Sequence, residues 1–176
     1  MSVDIVPVQS RAQLRRFIRF PYHLYKNHPC WVPPVVAEEW GTFDGARNPA
    51  HAFCRVRLFL ASKDGRVAGR IAAIINERYL QKWHKRNCRF GWLDFIDDPE
   101  VSASLLGAVE GWAREQGMGA VHGPLGFTNF DKAGMLVEGF QELGTMETYY
   151  NHPYYPAHLQ ALGYGKEVDW VEFLVE

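Results

Sequence analysis

A run of aromatic and polar side chains, TMETYYNHPYY at residues 145–155, carries the residue types best suited to contact with a small ligand. It contains four tyrosines together with Asn151 and His152. Tyrosine combines an apolar ring with a polar hydroxyl, which suits ligand contact at the mouth of a cleft. We therefore predict that Tyr150 and Asn151 bind substrate. A packed surface loop is the alternative interpretation of the same residues.

A glycine-rich segment, HGPLGFTNFDKAGMLVEGF at residues 122–140, raises the question of a phosphate site. A phosphate cradle needs converging backbone N–H groups and a helix that begins directly after them. Pro124 lies between Gly123 and Gly126 and has no N–H to donate, and no long helix is predicted directly after it. The spacing therefore indicates a tight exit from a strand rather than a phosphate loop.

Metal and thiol chemistry have little support in the sequence. His51 and Cys54 have a ligand-like gap but no second pair, and the other histidines are scattered, so we predict no metal site. The three cysteines include no CxxC pair, which is typical of reduced thiols. No neighbouring residue marks Cys54 or Cys88 as an activated nucleophile.

Chain length and charge exclude several classes of function. A chain of 176 residues fits a single domain over residues 1–176. The formal net charge of −1 gives no general attraction to nucleic acid or to an acidic membrane. The first residues lack the pattern of a secretory signal, and no apolar run approaches the roughly 18 residues that span a bilayer. We therefore expect a cytoplasmic protein that binds neither nucleic acid nor membrane.

Apolar periodicity predicts an α+β domain with a mixed, mostly antiparallel sheet. The strongest local signal is a hairpin at residues 57–75, because Asp64-Gly65 suits the positive φ angles of a tight turn. Further strands are predicted at 3–8, 89–97, 120–123 and 166–175, and helices at 10–29, 35–40, 98–117 and 153–165. Pro21 is expected to bend or break the first helix. The segment 124–148 is predicted as loop, with one helical turn near residues 133–137.

This order of elements resembles the GNAT superfamily of acyl-CoA-dependent N-acyltransferases. The resemblance is clearest in the hairpin followed by GRIAAIINER, in the strand RFGWLDFID with its following helix, and in HLQALGYGKEVDWVEFLV near the end of the chain. It covers nearly the whole chain, and the aromatic-rich segments are similar to a bacterial branch whose members are often about twice this length. One half of a two-module protein is therefore one expectation.

The resemblance implies an acyl-CoA donor, such as acetyl-CoA, held beside the strand and helix formed around residues 89–117. Phe95, Ile96 and Ser102 are the residues expected to contact it. GNAT enzymes hold the pyrophosphate on a Q/R-x-x-G-x-G/A loop at this junction, but here the junction reads FIDDPEVSASLL and contains no glycine. A carboxylate roughly 5 Å from a phosphate costs about 3 kcal/mol at an effective dielectric near 20. A capped structural helix and an altered acyl-CoA site both remain open.

The resemblance also implies acid–base residues. Asp94 is the positional candidate for the general base, with a solvated strand residue as the alternative. The family's general acid is a tyrosine four residues before the glycine of its closing YEKLGF motif. Gly163 sets that register here, which places Leu159 where the tyrosine would be. Tyr155, one helical turn earlier, and the adjacent His158 are the candidate substitutes.

On the acceptor side, the family order implies that His122, Asn129 and Asp131 face the ligand. Two functions follow from the resemblance. The first is transfer of an acyl group from acyl-CoA to the amine of a small molecule. The alternative is a catalytically inactive GNAT-fold module that binds a small ligand or pairs with a second GNAT-like domain or with another copy of itself.

Overall fold

A five-stranded sheet organises the chain in the computed structural model, which describes residues 2–145 and 148–171. The strands lie in sequence order and comprise β1 (Asp4–Pro7), β2 (Cys54–Lys63), β3 (Arg66–Asn76), β4 (Asn87–Phe95) and β5 (Ala120–His122). The first four are antiparallel to their neighbours, whereas β4 and β5 are parallel. The predicted α+β class with a mixed, mostly antiparallel sheet is confirmed.

The hairpin between β2 and β3 forms at the predicted turn. Lys63 pairs with Arg66, and the two residues between them, Asp64 and Gly65, have φ angles of 54° and 74°. A two-residue turn with both φ angles positive follows the natural twist of two antiparallel strands. On the other side of β3, Arg70 lies opposite Asp94 on β4.

Five helices flank the sheet: α1 (Arg11–Leu24), α2 (Val36–Thr42), α3 (Glu77–Trp83), α4 (Pro99–Glu115) and α5 (Tyr155–Ala161), with a short 3-10 helix at Pro49–Ala52. One apolar cluster lies between the sheet and α4 and α5, and a second lies on the α1 side. Asp98 caps α4 by accepting a hydrogen bond from the Glu100 N–H, as the sequence predicts. None of the described helices is both long and apolar enough to cross a membrane.

Of the two outcomes expected for Pro21, a bend or a break of α1, the break does not occur. The helix continues to Leu24, and the Tyr25 N–H still bonds to the Pro21 carbonyl. A proline in a helix leaves the carbonyl four residues earlier without its usual donor. Here that carbonyl belongs to Phe17, and Nη1 of Arg70 donates to it at 2.9 Å. A side chain from the sheet therefore replaces the missing helical hydrogen bond.

Two predictions of local structure are wrong, and one helix was not predicted. Residues 166–171 form no strand, and the rest of the predicted closing strand, 172–175, lies outside the described residues. The helical turn predicted near residues 133–137 is absent, because Ala133 forms a bridge with Leu125 and the Leu136 N–H bonds to the Asn151 side chain. Helix α3 was not predicted, although Asn76 caps it by accepting from the Tyr79 N–H.

Candidate functional site

Strands β4 and β5 pair only at their beginning. Residues Asn87 to Arg89 pair with Ala120 to His122, and β4 then continues to Phe95 without β5 beside it. Trp92 has a φ of 46°, and the register with β3 shifts by one residue between Arg70 and Ala72. A bulge of this kind bends a strand and is frequent beside functional sites. The edge of β4 after Arg89 is therefore free for other parts of the chain or for a ligand.

The glycine-rich segment closes the first part of this edge. Its Leu125 N–H donates to the Phe90 carbonyl at 2.8 Å. A Cβ atom on Gly91 would lie 2.5 Å from the Leu125 carbonyl oxygen, and one on Gly123 would lie 2.2 Å from the Phe90 carbonyl oxygen. Only glycine permits an approach this close. Gly123 lets the chain leave β5 tightly against β4, as the sequence predicts, and Gly91 makes room for it on β4, which the sequence analysis did not predict.

Two tyrosines at the start of α5 cover the far end of the same edge. The Phe95 N–H donates to the Tyr155 hydroxyl at 3.0 Å, and the Tyr154 hydroxyl donates to the Phe95 carbonyl. The Tyr155 ring also stacks on the Phe95 ring, with the centroids 4.2 Å apart. Both backbone polar groups of Phe95 are thus satisfied by side chains from α5 rather than by a strand.

A chain of hydrogen bonds joins Tyr155 to a buried carboxylate. The Tyr155 and Tyr25 hydroxyls are 2.9 Å apart, and the Tyr25 hydroxyl donates to Oδ1 of Asp94 at 2.9 Å. Because Tyr25 has one proton and the carboxylate can only accept, Tyr155 must donate to Tyr25. Asp94 and Tyr155 are 8% and 1% exposed, so the alternative view of Asp94 as a solvated strand residue is wrong. The structure brings two of the predicted site residues into one network.

Arg70 forms an ion pair with Asp94, the carboxylate at the end of this series of hydrogen bonds. Its Nε lies 2.7 Å from Oδ2 of Asp94, and its Nη1 lies 3.9 Å from Oε2 of Glu39. Trp92 donates its ring N–H to the same oxygen of Glu39 at 3.1 Å. A buried guanidinium between two carboxylates is well compensated, since each charge has partners of opposite sign. Burial nevertheless raises the pKa of Glu39.

The hydroxyls of Tyr25 and Tyr155, which form this series of hydrogen bonds, are proton donors over the whole physiological pH range. Burial, followed by the nearby charge of Asp94, raises the pKa of Tyr25 well above its usual value. The same two causes, in the same order, raise the pKa of Tyr155. Both hydroxyls therefore remain protonated, and the network connects an edge of the sheet to a carboxylate through two O–H groups.

Comparison with known proteins gives two curated relatives. The chain is 35% identical over 160 residues to Protein YghO of Escherichia coli, covering 91% of this chain and 41% of that protein. It is 32% identical over 169 residues to the bacterial ceramide synthase of Caulobacter vibrioides, covering 96% of this chain and 44% of that protein. The chain thus spans less than half the length of either relative. No protein-family model matches it.

Solved structures decide the fold. A tandem GNAT protein from the clavulanic acid biosynthesis pathway superposes with a TM-score of 0.58 at 13% identity, over 92% of this chain and 43% of that protein. AAC(6')-Iy, bound to the bisubstrate analogue CoA-S-monomethyl-acetylneamine, superposes with a TM-score of 0.55 at 15% identity, over 100% of this chain and 99% of the other. The chain has the GNAT fold. In this chain the candidate site lies where β4 separates from β5 and bends at its bulge.

The junction where GNAT enzymes hold a pyrophosphate does not fit that group here. Asp98 already occupies the start of α4 as its cap, and Lys63 bonds to both Asp98 and Glu100. Hydrogen bonding to Lys63 keeps the pKa of Asp98 below its usual value, so the carboxylate is charged at neutral pH. The negative charge of Asp98 lies where a diphosphate would bind, and the charge of Lys63 is already paired with carboxylates. The start of α4 therefore does not attract a diphosphate.

His158 and Ser102, two of the predicted site residues, both lie at the start of α4. His158 bonds to Ser102 Oγ at 2.8 Å and to Asp97 Oδ1 at 2.9 Å, which ties α5 to the start of α4 rather than to Asp94. Ser102 Oγ also donates to the Pro99 carbonyl, and Ile96 is partly exposed. The catalytic role predicted for His158 and the cofactor contacts predicted for Ile96 and Ser102 stay predictions.

The acceptor-side residues do not form one cluster. Asp131 accepts from the N–H and the hydroxyl of Thr128 and so closes its own loop, while Asn129 is exposed. His122 lies at the end of β5, with Nδ1 3.5 Å from Oε2 of Glu167. Their roles in substrate binding stay predictions.

Tyr150 and Asn151 are both buried in the packing around Tyr25. The Tyr150 hydroxyl lies 2.9 Å from Nε2 of His28, and its ring packs edge-on against the Tyr25 ring. The Asn151 side chain accepts from the Leu136 N–H and donates to the carbonyls of Leu136 and His152. Asn151 therefore fixes the backbone of the preceding segment at Leu136, and Tyr150 packs against the Tyr25 ring.

Sequence reasoning missed Tyr25, Arg70 and Glu39. Arg70 could have been found, because it is the one charge inside the apolar run VAGRIAAII. Its contact with Asp94 could not have been found, because the pairing of β3 with β4 sets that contact and the hairpin turn does not. A charge within a buried strand requires a partner. Tyr25 and Glu39 carry no comparable signal, since both lie near helix ends of mixed polarity. In the described part of the chain, no group of three or more potential metal ligands comes together.

Proposed function

We propose that this chain is an acyltransferase domain of the GNAT type that joins an acyl group to an amine, with Asp94, Tyr25 and Tyr155 carrying the proton. The observation that supports it is the hydrogen-bond chain from the edge of β4 to a carboxylate held by Arg70. A general acid and a general base connected in this way are what amide formation from a thioester requires.

The thioester end of an acyl-CoA supplies the acyl group. The amine forms the new C–N bond, the C–S bond breaks, and the proton lost by the amine ends on the leaving sulfur. Asp94 receives the amine proton at its carboxylate. With the two hydroxyls turned from their resting direction, Asp94 then returns a proton to Tyr25, Tyr25 passes its own proton to Tyr155, and Tyr155 delivers its own to the leaving sulfur, so that all three groups end as they began. The backbone N–H of Phe95, once released by Tyr155, is a donor for the developing oxyanion.

Entry of substrate requires the α5 tyrosines to move. Tyr155 and Tyr25 are each 1% exposed, and the hydroxyls of Tyr154 and Tyr155 occupy both polar groups of Phe95. We propose that the thioester end displaces Tyr155 from the Phe95 N–H. We assign no contact to the diphosphate, because the start of α4 does not fit one.

The acceptor is an amine of a small molecule. One relative is named a bacterial ceramide synthase, and a ceramide is an N-acylated amino alcohol. A long-chain amino alcohol is therefore the first acceptor to test. An aminoglycoside is the second, because a GNAT neighbour with a TM-score of 0.54 is an aminoglycoside acetyltransferase solved with sisomicin.

The test is release of free thiol from acetyl-CoA and palmitoyl-CoA, with sphinganine or sisomicin as the amine. Asp94→Asn, Tyr25→Phe and Tyr155→Phe keep shape and should each lower turnover by roughly 100-fold or more. Tyr164→Phe is the matched control, because it removes a hydroxyl that bonds only to Glu110 in the described residues. Equal turnover in Tyr155→Phe and Tyr164→Phe would contradict the proposal.

A second candidate function has its own supporting observation. The α5 hydroxyls fill the β4 edge, and the start of α4 is acidic, so the chain resembles a GNAT-fold module whose donor site is closed. Such a module would pair with another GNAT-like domain, or with a second copy of this chain, and would need no acid–base chemistry. It predicts that Asp94→Asn and Tyr155→Phe leave cellular function intact and that acetyl-CoA does not bind.

A further inference from the structure

Arg89 is a buried cation that forms no ion pair with a carboxylate of the described residues. It is 5% exposed, and its Nη1 donates to the carbonyls of Gly126 and Phe127 at 3.0 and 3.2 Å. Its Nε is buried and has no hydrogen-bond partner within residues 2–145 and 148–171. Nε and Nη2 form the edge of a guanidinium that binds a planar oxyanion with two parallel hydrogen bonds.

His122 presents a second unsatisfied atom beside it. The two residues are paired across β4 and β5, so their side chains lie on the same face of the sheet. Both contact the Tyr79 ring: the Arg89 guanidinium lies 5.3 Å from its centroid and the His122 ring 5.7 Å. Nε2 of His122 is buried and has no partner among the described residues.

The protonation of His122 follows from its other nitrogen. Nδ1 faces the Glu167 carboxylate at 3.5 Å, and a carboxylate can only accept, so this contact favours the tautomer with the proton on Nδ1. In the neutral ring Nε2 is then a bare acceptor, and it becomes a donor only when the ring is charged. Two neighbouring buried atoms therefore lack partners, and one anion would satisfy both once His122 takes up a proton.

We propose that Arg89 and His122 form a binding site for a carboxylate, which pairs with the Nε/Nη2 edge of Arg89 and accepts from Nε2 of protonated His122. Buried polar groups are normally paired, so two orphaned atoms on adjacent strand positions indicate a missing ligand. A carboxylate fits better than a neutral group, because it compensates the buried guanidinium and its planar shape matches the two parallel donors.

The charges around His122 agree with this assignment. Burial, the largest influence, lowers the pKa of His122, and Arg89 and Lys85 lower it as well, whereas Glu167 raises it. Burial likewise lowers the pKa of Arg89. A bound carboxylate opposes these effects and favours the charged ring. Carboxylate affinity should therefore fall as pH rises through the pKa that His122 has in the complex.

This site is separate from the proposed acyl transfer. Neither Arg89 nor His122 bonds to Asp94, Tyr25 or Tyr155, and the test measures binding rather than turnover. A negative result would leave the acyl-transfer proposal standing, and loss of acyl transfer would leave this site standing.

The experiment is a titration of the ¹⁵N-histidine-labelled chain with sodium acetate, observed through the ring nitrogens of His122 by NMR. We expect a saturable shift of Nε2 and a rise in the His122 pKa. Acetamide, which has the same shape without charge, should produce neither. Arg89→Lys keeps the charge but loses the planar edge, and should weaken acetate binding roughly tenfold. Arg57→Lys, at an exposed position of β2, is the matched control and should bind acetate like the parent.

The carboxylate could come from a small molecule or from a side chain of a second copy. In the first case the His122 signal depends on acetate and not on protein concentration. In the second, the signal shifts with protein concentration in the absence of acetate, and acetate competes. Absence of any His122 shift with acetate at every protein concentration, or an equal response in acetamide, would overturn the proposal. The comparison of acetate with acetamide uses the parent chain alone, so the proposal can still be tested if Arg89→Lys does not fold.

Discussion

Two buried arginines on neighbouring strands have opposite environments. Arg70 lies between Asp94 and Glu39 and also completes the hydrogen bonding of α1 at Phe17. Arg89 has two backbone carbonyls and no carboxylate within the described residues. The first arginine is part of a finished network that connects helices to the sheet. The second is left with an unused donor, which the proposed carboxylate would satisfy.

The comparison also separates two kinds of candidate site. The Asp94 network is complete without a ligand, so any chemistry there requires movement of α5. The Arg89 region is incomplete as it stands, so a ligand can add to it without displacing an internal hydrogen bond. The four predictions that follow test this difference, from the largest expected effect to the smallest.

The two arginines should differ most in stability. Arg70→Met leaves Asp94 buried without its cation and Phe17 without its donor, so the free energy of unfolding should fall by about 3–5 kcal/mol. Arg89→Met removes an uncompensated buried charge, and Asn76 still donates to the Phe127 carbonyl. It should change stability by less than about 1 kcal/mol. Urea denaturation measures both, and equal losses would remove the distinction between the two arginines.

The close contact between β4 and the segment after β5 should tolerate no side chain. Gly91→Ala places a methyl group against the Leu125 carbonyl and should destabilise by roughly 1–3 kcal/mol. Gly107→Ala on α4 is the matched control, because nothing lies within 4 Å of the added atom. It should stabilise the helix by about 0.5–1 kcal/mol. Thermal unfolding compares the two, and a neutral Gly91→Ala would mean that this segment is not held against β4.

The Tyr155 hydroxyl should contribute to stability as well as to the proposed chemistry. Tyr155→Phe keeps the stacking on Phe95 but leaves the Phe95 N–H without its acceptor, at a cost of about 1–3 kcal/mol. Tyr164→Phe loses a partly exposed hydrogen bond to Glu110 and should cost about 1 kcal/mol or less. Hydrogen exchange at the Phe95 amide should accelerate only in the first variant, and unchanged exchange would contradict the assigned bond.

The smallest effect concerns pH. The pKa of His122 is lowered in the folded protein, so the unfolded chain takes up a proton first as pH falls below about 6.5. Falling pH therefore destabilises the fold until the folded-state pKa is passed. His122→Gln should reduce this loss by less than about 1 kcal/mol between roughly pH 7 and 5. Saturating acetate should reverse the sign of the His122 contribution, and the same pH dependence with and without acetate would argue against the carboxylate site.

The sequence predicts the sheet and its main helices because their signals are local. Asp64-Gly65 fixes the hairpin, Asp98 caps α4, and the apolar stripe of α4 identifies its buried face. The prediction of a closing strand was wrong at residues 166–171, because alternation of apolar and polar residues does not supply the neighbouring strand with which a β-strand must pair.

The site could be predicted only in part, for a related reason. Asp94 and Tyr155 were found from the family order, but Tyr25 bridges them from a helix far away in sequence. Pro21 was expected to bend or break that helix, yet Arg70 from the sheet replaces the lost hydrogen bond and the helix continues to Leu24. Tyr25, directly after it, can then reach Asp94. Contacts of this kind depend on tertiary structure and leave no pattern in the sequence.

The most direct test of the proposed acyl transfer observes the Phe95 amide by NMR in the ¹⁵N-phenylalanine-labelled chain during titration with acetyl-CoA. If the thioester end enters beside β4, it displaces Tyr155, and the Phe95 amide signal should shift saturably, with a smaller shift in Tyr155→Phe, where that bond is already absent. A Phe95 signal that stays unchanged at millimolar acetyl-CoA would contradict the proposal and favour a GNAT-fold module whose donor site is closed.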